Sequence, residues 1–306
     1  MTPVKLMIAS PFDGLPDTAM VSWAYAWPLA KILQDPAVKM LKPAHMAYPA
    51  DVCRARSRAV FQFLQTDYTH LLFWDTDNAP PEEAGRLIRR LVDTGHDWVG
   101  CPYPRKRLHT DRGEAMASQG LPFGAHSLDY AFRVYGPDGS TAKREVVNGC
   151  IEVDRLGLGF TLITRVCLEK MWEHYKGFPE FRAVELIAEE WQSRMLAAED
   201  KGAQLRQLIA ELQQATVDDY ERAKGFTDVV EGEHHPGCAL FDTLLMPPTP
   251  FQDHTVREWL SEDYAGCERW RRLGGRPMMW VGEGSPIDHI GGFRYRGHRD
   301  GLIYGR

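Results

Sequence analysis

Apolar and polar positions along the first half of the chain recur in two alternating patterns. Val4 to Ser10 is a short apolar run broken by Pro11 and Gly14, which predicts a first strand, and Ala19 to Leu33 predicts a helix. Val52, Arg56, Ala59, Val60 and Phe63 recur at helical spacing, predicting a helix over Val52 to Gln65. The apolar run from Thr69 to Trp74 predicts a buried strand, Glu82 to Thr94 a helix, and Asp97 to Cys101 a further short strand. This βαβα rhythm implies an α/β fold with a mostly parallel sheet flanked by helices. Leu108 to Ala125 has no periodicity and is expected to be a mobile loop.

The second half changes character. Phe181 to Phe226 is rich in Glu, Gln, Ala, Leu and Arg, with Leu205, Leu208 and Leu212 on one face and a break at Lys201–Gly202. Two amphipathic helices forming a hairpin fit this segment better than continued sheet. A solvated surface insertion is the favoured reading of it, with oligomerisation through the hairpin as the alternative. A Pro-rich turn follows at Pro247, Pro248 and Pro250, then a helix from about Asp263 to Leu273 and a short strand over Pro277 to Val281. The expected organisation is one α/β domain: residues 1–180 form its first region, 181–226 the insertion and 227–306 a C-terminal region of the same domain.

Composition narrows the picture. With 306 residues and 44% hydrophobic content, the chain can bury a sizeable core. It contains no apolar run of about 18 residues, and the first residues lead directly into a strand, so neither a membrane span nor a signal peptide is expected and the cytoplasm is the expected location. The six cysteines, at 53, 101, 150, 167, 238 and 267, lack C-x-x-C spacing and read as reduced, mostly buried thiols. The net charge of −6 gives no bulk attraction for nucleic acid or membranes, although Arg105, Lys106 and Arg107 form a local basic run.

Candidate chemistry begins where the third predicted strand ends, at Asp75–Thr76–Asp77. Carboxylates two residues apart at a strand end point the same way and can share a hard divalent cation. The carboxyl edge of an open α/β sheet is also where ligands bind. On the tripeptide alone a helix-capping turn remains equally open.

Other segments change that balance. These are Ala55–Arg56–Ser57–Arg58 on the second helix, Gly157–Leu158–Gly159–Phe160 opening an apolar strand, Glu262–Asp263 at a helix start, and His289–Ile290–Gly291 in the last loop. In this order and spacing they resemble the GT-A glycosyltransferases, in particular the small family-2-like enzymes of bacteria and phages. The resemblance extends from residue 4 to about 297, excepting the insertion. One departure is Ser57, where many relatives carry Asn after the helix arginine.

The resemblance implies a GT-A type, Rossmann-like sheet and transfer of a sugar from a nucleotide-sugar donor, UDP-linked by expectation, to a hydroxyl acceptor with inversion. It implies Mn²⁺ or Mg²⁺ bound by Asp77, by His289 and by Asp75, which would either share the metal or face the ribose. Ser10, Pro11 and Arg56 would meet the nucleotide, and Gly157 and Gly159 would let the backbone approach the donor sugar. Asp263 would be the general base, with Glu262 orienting it or replacing it. The same Glu262–Asp263 pair, taken without the resemblance, is equally a helix cap with favourable dipole charges.

The acceptor stays open among a glycan, another hydroxyl compound and a modified DNA base. Aromatic and basic residues interleave at Tyr103 to His109 and again at Trp270 to Arg272 and Phe293 to Arg296, a pattern that suits sugar stacking or nucleic acid. A sugar-phosphate nucleotidyltransferase would want a Gly-rich basic loop after the first strand, and Ala9 to Gly14 offers none. A catalytically inactive carbohydrate-binding or scaffold protein is the non-enzymatic alternative.

Overall fold

The computed structural model describes residues 4–11, 25–40, 52–80, 84–120, 123, 127–134, 145–175, 240–241, 243–246, 249–251, 254–256, 259–290 and 294–297. In chain order these carry β1 (Leu6–Ala9), α1 (Trp27–Ile32), β2 (Val38–Met40), α2 (Val52–Leu64), β3 (His70–Trp74), β4 (Asn78–Ala79), α3 (Ala84–Asp93), β5 (Trp98–Gly100) and β6 (Pro104–Leu108). Then come α4 (Thr110–Ala117), β7 (Leu128–Tyr130), β8 (Phe132–Arg133), β9 (Cys150–Glu152), β10 (Arg155–Leu156), β11 (Phe160–Thr164) and α5 (Arg165–Tyr175). Four short strands lie between residues 244 and 260: β12 (Leu244–Leu245), β13 (Thr249–Phe251), β14 (His254–Val256) and β15 (Trp259–Leu260). The chain closes with α6 (Glu262–Arg272), β16 (Met278–Trp280), β17 (Asp288–Ile290) and β18 (Arg294–Tyr295). The expected helical insertion at 181–226 lies outside the described residues.

Seven strands form the central sheet in the order β2-β1-β3-β11-β5-β16-β9. The pairings β1–β2, β1–β3 and β5–β16 are parallel, whereas β11 runs antiparallel to both β3 and β5, and β9 runs antiparallel to β16. Five strands therefore share one direction and two oppose it, so the sheet is mostly parallel, as expected.

Alternation along the strands divides the core into two layers. Leu71 and Phe73 of β3, with Met7 and Ala9 of β1, face a cluster containing Val60 and Phe63 of α2, Leu168 and Met171 of α5, and Trp270 of α6. Leu72 and Trp74, with Leu6 and Ile8, face the opposite cluster under Leu29 of α1 and Leu87, Ile88 and Leu91 of α3. Strands covered on both faces read as continuous apolar runs, which is why β3 stands out in the sequence. Each fully buried Leu, Ile or Phe contributes about 1.5–3 kcal/mol of transfer free energy.

Two expectations need correction. The stretch from Leu108 to Ala125 holds helix α4, not a loop without structure. Its buried position is Gly113, where a Cβ would stand 2.5 Å from the Phe123 ring, so the helix is fixed by close packing and leaves no apolar period to read. His289 lies in β17, which pairs with β4, not in a loop.

The crossovers determine where chemistry can gather. Helix α2 leads into β3 and helix α6 precedes β16, and both strands belong to the five that share a direction. A helix returning from the carboxyl edge of a sheet to its start begins at the carboxyl edge, so the N-terminal turns of α2 and α6 arrive beside the end of β3.

Candidate functional site

Arg56 stands one turn before Val60 on the sheet-facing side of α2 and is 1% exposed. Its guanidinium lies over the Phe73 ring at 5.3 Å and donates to both oxygens of Asp75, Nη1 to Oδ1 at 3.1 Å and Nη2 to Oδ2 at 3.0 Å. The same Nη2 lies 3.4 Å from Asp263 Oδ1 and 4.0 Å from Glu262 Oε1. One cation from α2 thus gathers the first carboxylate of the Asp-x-Asp and both carboxylates at the start of α6.

One positive charge against three negative ones decides how the group titrates. Burial acts to lower the Arg56 pKa, but Asp75, Asp263 and Glu262 outweigh it and hold it raised. Burial raises Asp75, with Arg56 opposing. Burial and then Glu262 push Asp263 well above its usual 3.8, against the pull of Arg56 and a hydrogen bond from the Leu158 backbone. With Arg56 taken up by Asp75, Asp263 is left the more basic carboxylate of the cluster, and greater basicity in the ionised form is what a proton acceptor needs.

The second carboxylate of the motif belongs to a different cluster. Lys106 Nζ lies 2.6 Å and His289 Nε2 3.2 Å from Asp77 Oδ2. Burial raises Asp77, but hydrogen bonds and charge from His289 and Lys106 overcome this and bring its pKa down to about 2. Backbone pairing builds the cluster: β17 joins β4, with His289 opposite Asn78, and the Ile290 N–H donates to the Asp77 carbonyl at 2.7 Å.

His289 Nδ1 lies 2.8 Å from the Pro104 carbonyl, which can only accept, so Nδ1 carries the proton. With Nδ1 committed to Pro104, His289 meets the Asp77 carboxylate through Nε2, the ring nitrogen that could serve as a ligand beside that oxygen. An imidazole nitrogen and a carboxylate oxygen suit Mn²⁺ or Mg²⁺ with further oxygen ligands from a substrate, so this pair fits the metal expected from the sequence. Among the described residues no group of three or more His, Cys, Asp or Glu side chains is assembled for a metal. Asp75, included among the metal ligands in the sequence reading, has both oxygens on Arg56.

Between the two clusters lies a floor made of Gly157, Gly159, Tyr103 and Asn78. A Cβ on Gly157 would stand 2.3 Å from the Tyr103 hydroxyl, and one on Gly159 would stand 2.2 Å from Asn78 Nδ2. The Gly159 N–H donates to the Tyr103 hydroxyl at 3.2 Å, and the Gly159 carbonyl accepts from the Asp75 N–H at 2.9 Å. The glycines thus bring the backbone close to Tyr103 and the Asp pair. Asn78 is 1% exposed, and neither of its side-chain amide atoms has a hydrogen-bond partner among the described residues. Burial and then Asp263 and Asp75 raise the Tyr103 pKa far above its usual 10.0, so its hydroxyl stays protonated.

Ser10 is buried at the end of β1 and shares a hydrogen bond with the Tyr25 hydroxyl, while Pro11 is half-buried beside it. Tyr25 packs edge-on against Trp74, and the Asp75 charge adds to the rise that burial gives its pKa, so this end of β1 borders the Arg56 cluster.

Every residue singled out from the sequence for the site is among those described, and Arg56, Asp75, Glu262 and Asp263 meet directly. Sequence reasoning assigned Tyr103 and Lys106 only to an acceptor segment and did not single out Asn78. Position alone could have flagged Asn78, since it directly follows the second Asp. In the basic-aromatic run at 270–272, Trp270 is buried in the core, Arg271 pairs with Asp154 at 2.7 Å, and Arg272 pairs with Glu268 at 3.2 Å.

No family model and no curated protein matches the chain. One solved structure that it resembles is A197 from STIV, at 24% identity and a TM-score of 0.32, with 55% of this chain and 68% of that chain covered. A likeness that loose carries no argument about activity, so the functional reading rests on the geometry of the two carboxylate clusters.

Proposed function

We propose that the chain is a glycosyltransferase that moves a sugar from a nucleotide-sugar donor to an acceptor hydroxyl with inversion. The observation that carries this reading is the Arg56 cluster, which holds Asp75 fixed at the sheet edge and leaves the raised Asp263 beside it. In this reading the acceptor oxygen attacks the anomeric carbon, the bond from that carbon to the phosphate oxygen breaks, and the acceptor proton passes to Asp263. Asp75, oriented by Arg56, accepts hydrogen bonds from the ribose hydroxyls, and Ser10 and Pro11 border the base. Gly157 and Gly159 let Tyr103 and Asn78 pack against the backbone and so form the floor on which the donor sugar would rest.

The leaving group is a nucleoside diphosphate, whose charge must be met as it departs. Asp77 and His289 would hold Mn²⁺ or Mg²⁺ there, and a bound divalent cation supplies that neutralisation. A glycan or other small hydroxyl compound is the favoured acceptor because the chain's net charge of −6 gives no general attraction for nucleic acid.

Thermal unfolding in the presence of a panel of nucleotide sugars, with and without Mn²⁺, tests the reading. One nucleotide class should raise Tm, since a ligand that binds the native state stabilises it. That donor should then release its nucleoside diphosphate on incubation with the chain. A panel in which no nucleotide sugar shifts Tm or is turned over rejects the proposal.

A further inference from the structure

One strand, β6, supplies one partner of Asp77 and anchors the other. The Pro104 carbonyl on β6 fixes the tautomer of His289, and Lys106, two residues along, has its ammonium on the same Asp77 oxygen that His289 faces. The His289 ring and the Lys106 ammonium thus converge on one oxygen, Asp77 Oδ2, at 3.2 and 2.6 Å. An ammonium 2.6 Å from a carboxylate oxygen occupies the electrostatic position that a divalent cation bound to that oxygen would need.

We propose that Lys106 is the resident counterion of the Asp77–His289 pair, so that loading a divalent cation and releasing the Lys106 ammonium are one coupled event. The inference rests on the glycosyltransferase reading and deepens it by assigning Lys106 a positioning role. A metal ion and an ammonium cannot both lie in contact with one carboxylate oxygen without strong repulsion, so each weakens binding of the other. Lys106 is partly exposed on a long flexible stem and can swing away without disturbing the core. Once released, its ammonium would be available to a diphosphate bound there and would supply a further positive charge for the leaving group. The coupling disfavours cation loading in the absence of nucleotide and favours it when a diphosphate is present to receive the lysine.

The test uses the full chain with Mn²⁺ alone. Mn²⁺ affinity is measured by calorimetry for the wild type, Lys106→Met and Lys106→Arg. Lys106→Met should bind Mn²⁺ about tenfold more tightly than the wild type, and Lys106→Arg, which keeps the charge, should not. In the wild type, acylation of Lys106 by a small amine reagent, read by peptide mass, should accelerate severalfold when Mn²⁺ saturates the site. Equal or weaker Mn²⁺ affinity in Lys106→Met, or Lys106 reactivity indifferent to bound Mn²⁺, overturns the proposal. Absence of Mn²⁺ binding in both proteins also overturns it, because the ammonium would then not be what holds the cation off. Failure of the glycosyltransferase reading is a separate result, namely that no nucleotide sugar is bound or turned over by any of the three proteins.

Discussion

Arg56 and Asp75 form a bidentate ion pair at 3.1 and 3.0 Å, and the arginine has almost no access to water. A planar guanidinium matches a carboxylate in a way that an ammonium does not, and it also spans the distance to Asp263. Arg56→Met leaves Asp75, Glu262 and Asp263 facing one another without a cation. We expect a loss of about 3–5 kcal/mol of folding stability, read as a lowered urea midpoint, together with loss of nucleotide binding. Arg56→Lys should recover part of the stability and little of the binding. A variant with wild-type stability would mean that the three carboxylates do not depend on Arg56.

Asp263 gives the clearest dependence on pH. It is faced by Glu262 on its own helix, Arg56 of α2, Asp75 beyond β3, and Tyr103, with Tyr264 and Cys267 also sensing its charge. A carboxyl whose native pKa lies above its unfolded value holds its proton more tightly when folded, so its contribution to stability declines as pH rises from about 3.8 toward the raised native value. Asp263→Asn should flatten that decline in chemical-denaturation profiles and leave stability near neutral pH equal or higher. It should cut sugar transfer by a factor on the order of 10² while donor binding persists. The acid limb of the wild-type rate profile should lie above the ordinary carboxylate range and belong to the Glu262–Asp263 pair as a unit. If Glu262→Gln abolishes transfer and Asp263→Asn does not, the base is Glu262.

Asp77→Asn removes the anionic ligand without changing shape. Turnover that depends on Mn²⁺ should disappear while the thermal midpoint stays within a few degrees of the wild type, because an edge carboxylate adds little packing. His289→Ala should weaken Mn²⁺ dependence less, since water can fill one coordination position. Full turnover in Asp77→Asn would remove the metal from the reading.

Arg165 secures the far end of the helix that carries Arg56. From the first turn of α5 its guanidinium donates to the carbonyls of Phe63 at 3.1 Å, Thr66 at 2.6 Å and Tyr68 at 2.7 Å, and it stacks over the Phe63 ring at 4.6 Å. These bonds tie the end of α2 and the turn that follows it to the start of α5. Arg165→Ala should cost about 2–4 kcal/mol in denaturant titrations and raise KM for the donor more than it lowers kcat, because it loosens the placement of Arg56. An unchanged unfolding midpoint would contradict this.

Gly159→Ala would drive a methyl group to 2.2 Å from Asn78 Nδ2 and 2.9 Å from the Tyr103 ring. Both neighbours are buried, so the floor between the two clusters must shift. A stability loss of about 1–3 kcal/mol and weakened donor binding are expected, measured by thermal unfolding with and without nucleotide sugar. Gly95→Ala, at a turn with φ of +67° but open space around it, should cost stability through backbone strain alone and leave donor binding intact.

The chain's own pattern determined the α/β rhythm, the apolar run of β3 ending in Asp75–Thr76–Asp77, and the start of α6 at Glu262–Asp263. Those features are local: a doubly covered strand must be apolar throughout, and a sheet-facing helix must repeat at helical spacing, so each is visible in a few neighbouring residues. Tertiary structure alone decided which groups meet. Arg56 and Asp263 are far apart in sequence and come within 3.4 Å because α2 and α6 both begin at the carboxyl edge of the sheet. His289 reached Asp77 through pairing of β17 with β4, strands of three and two residues that are too short to carry a period. Helix α4 was hidden for the opposite reason: its contact point is a glycine, so the close approach that holds it removes the apolar signal that would have announced it. The division of the Asp-x-Asp into one carboxylate held by arginine and one facing lysine and histidine follows from long-range pairing, which residue spacing along the chain does not encode.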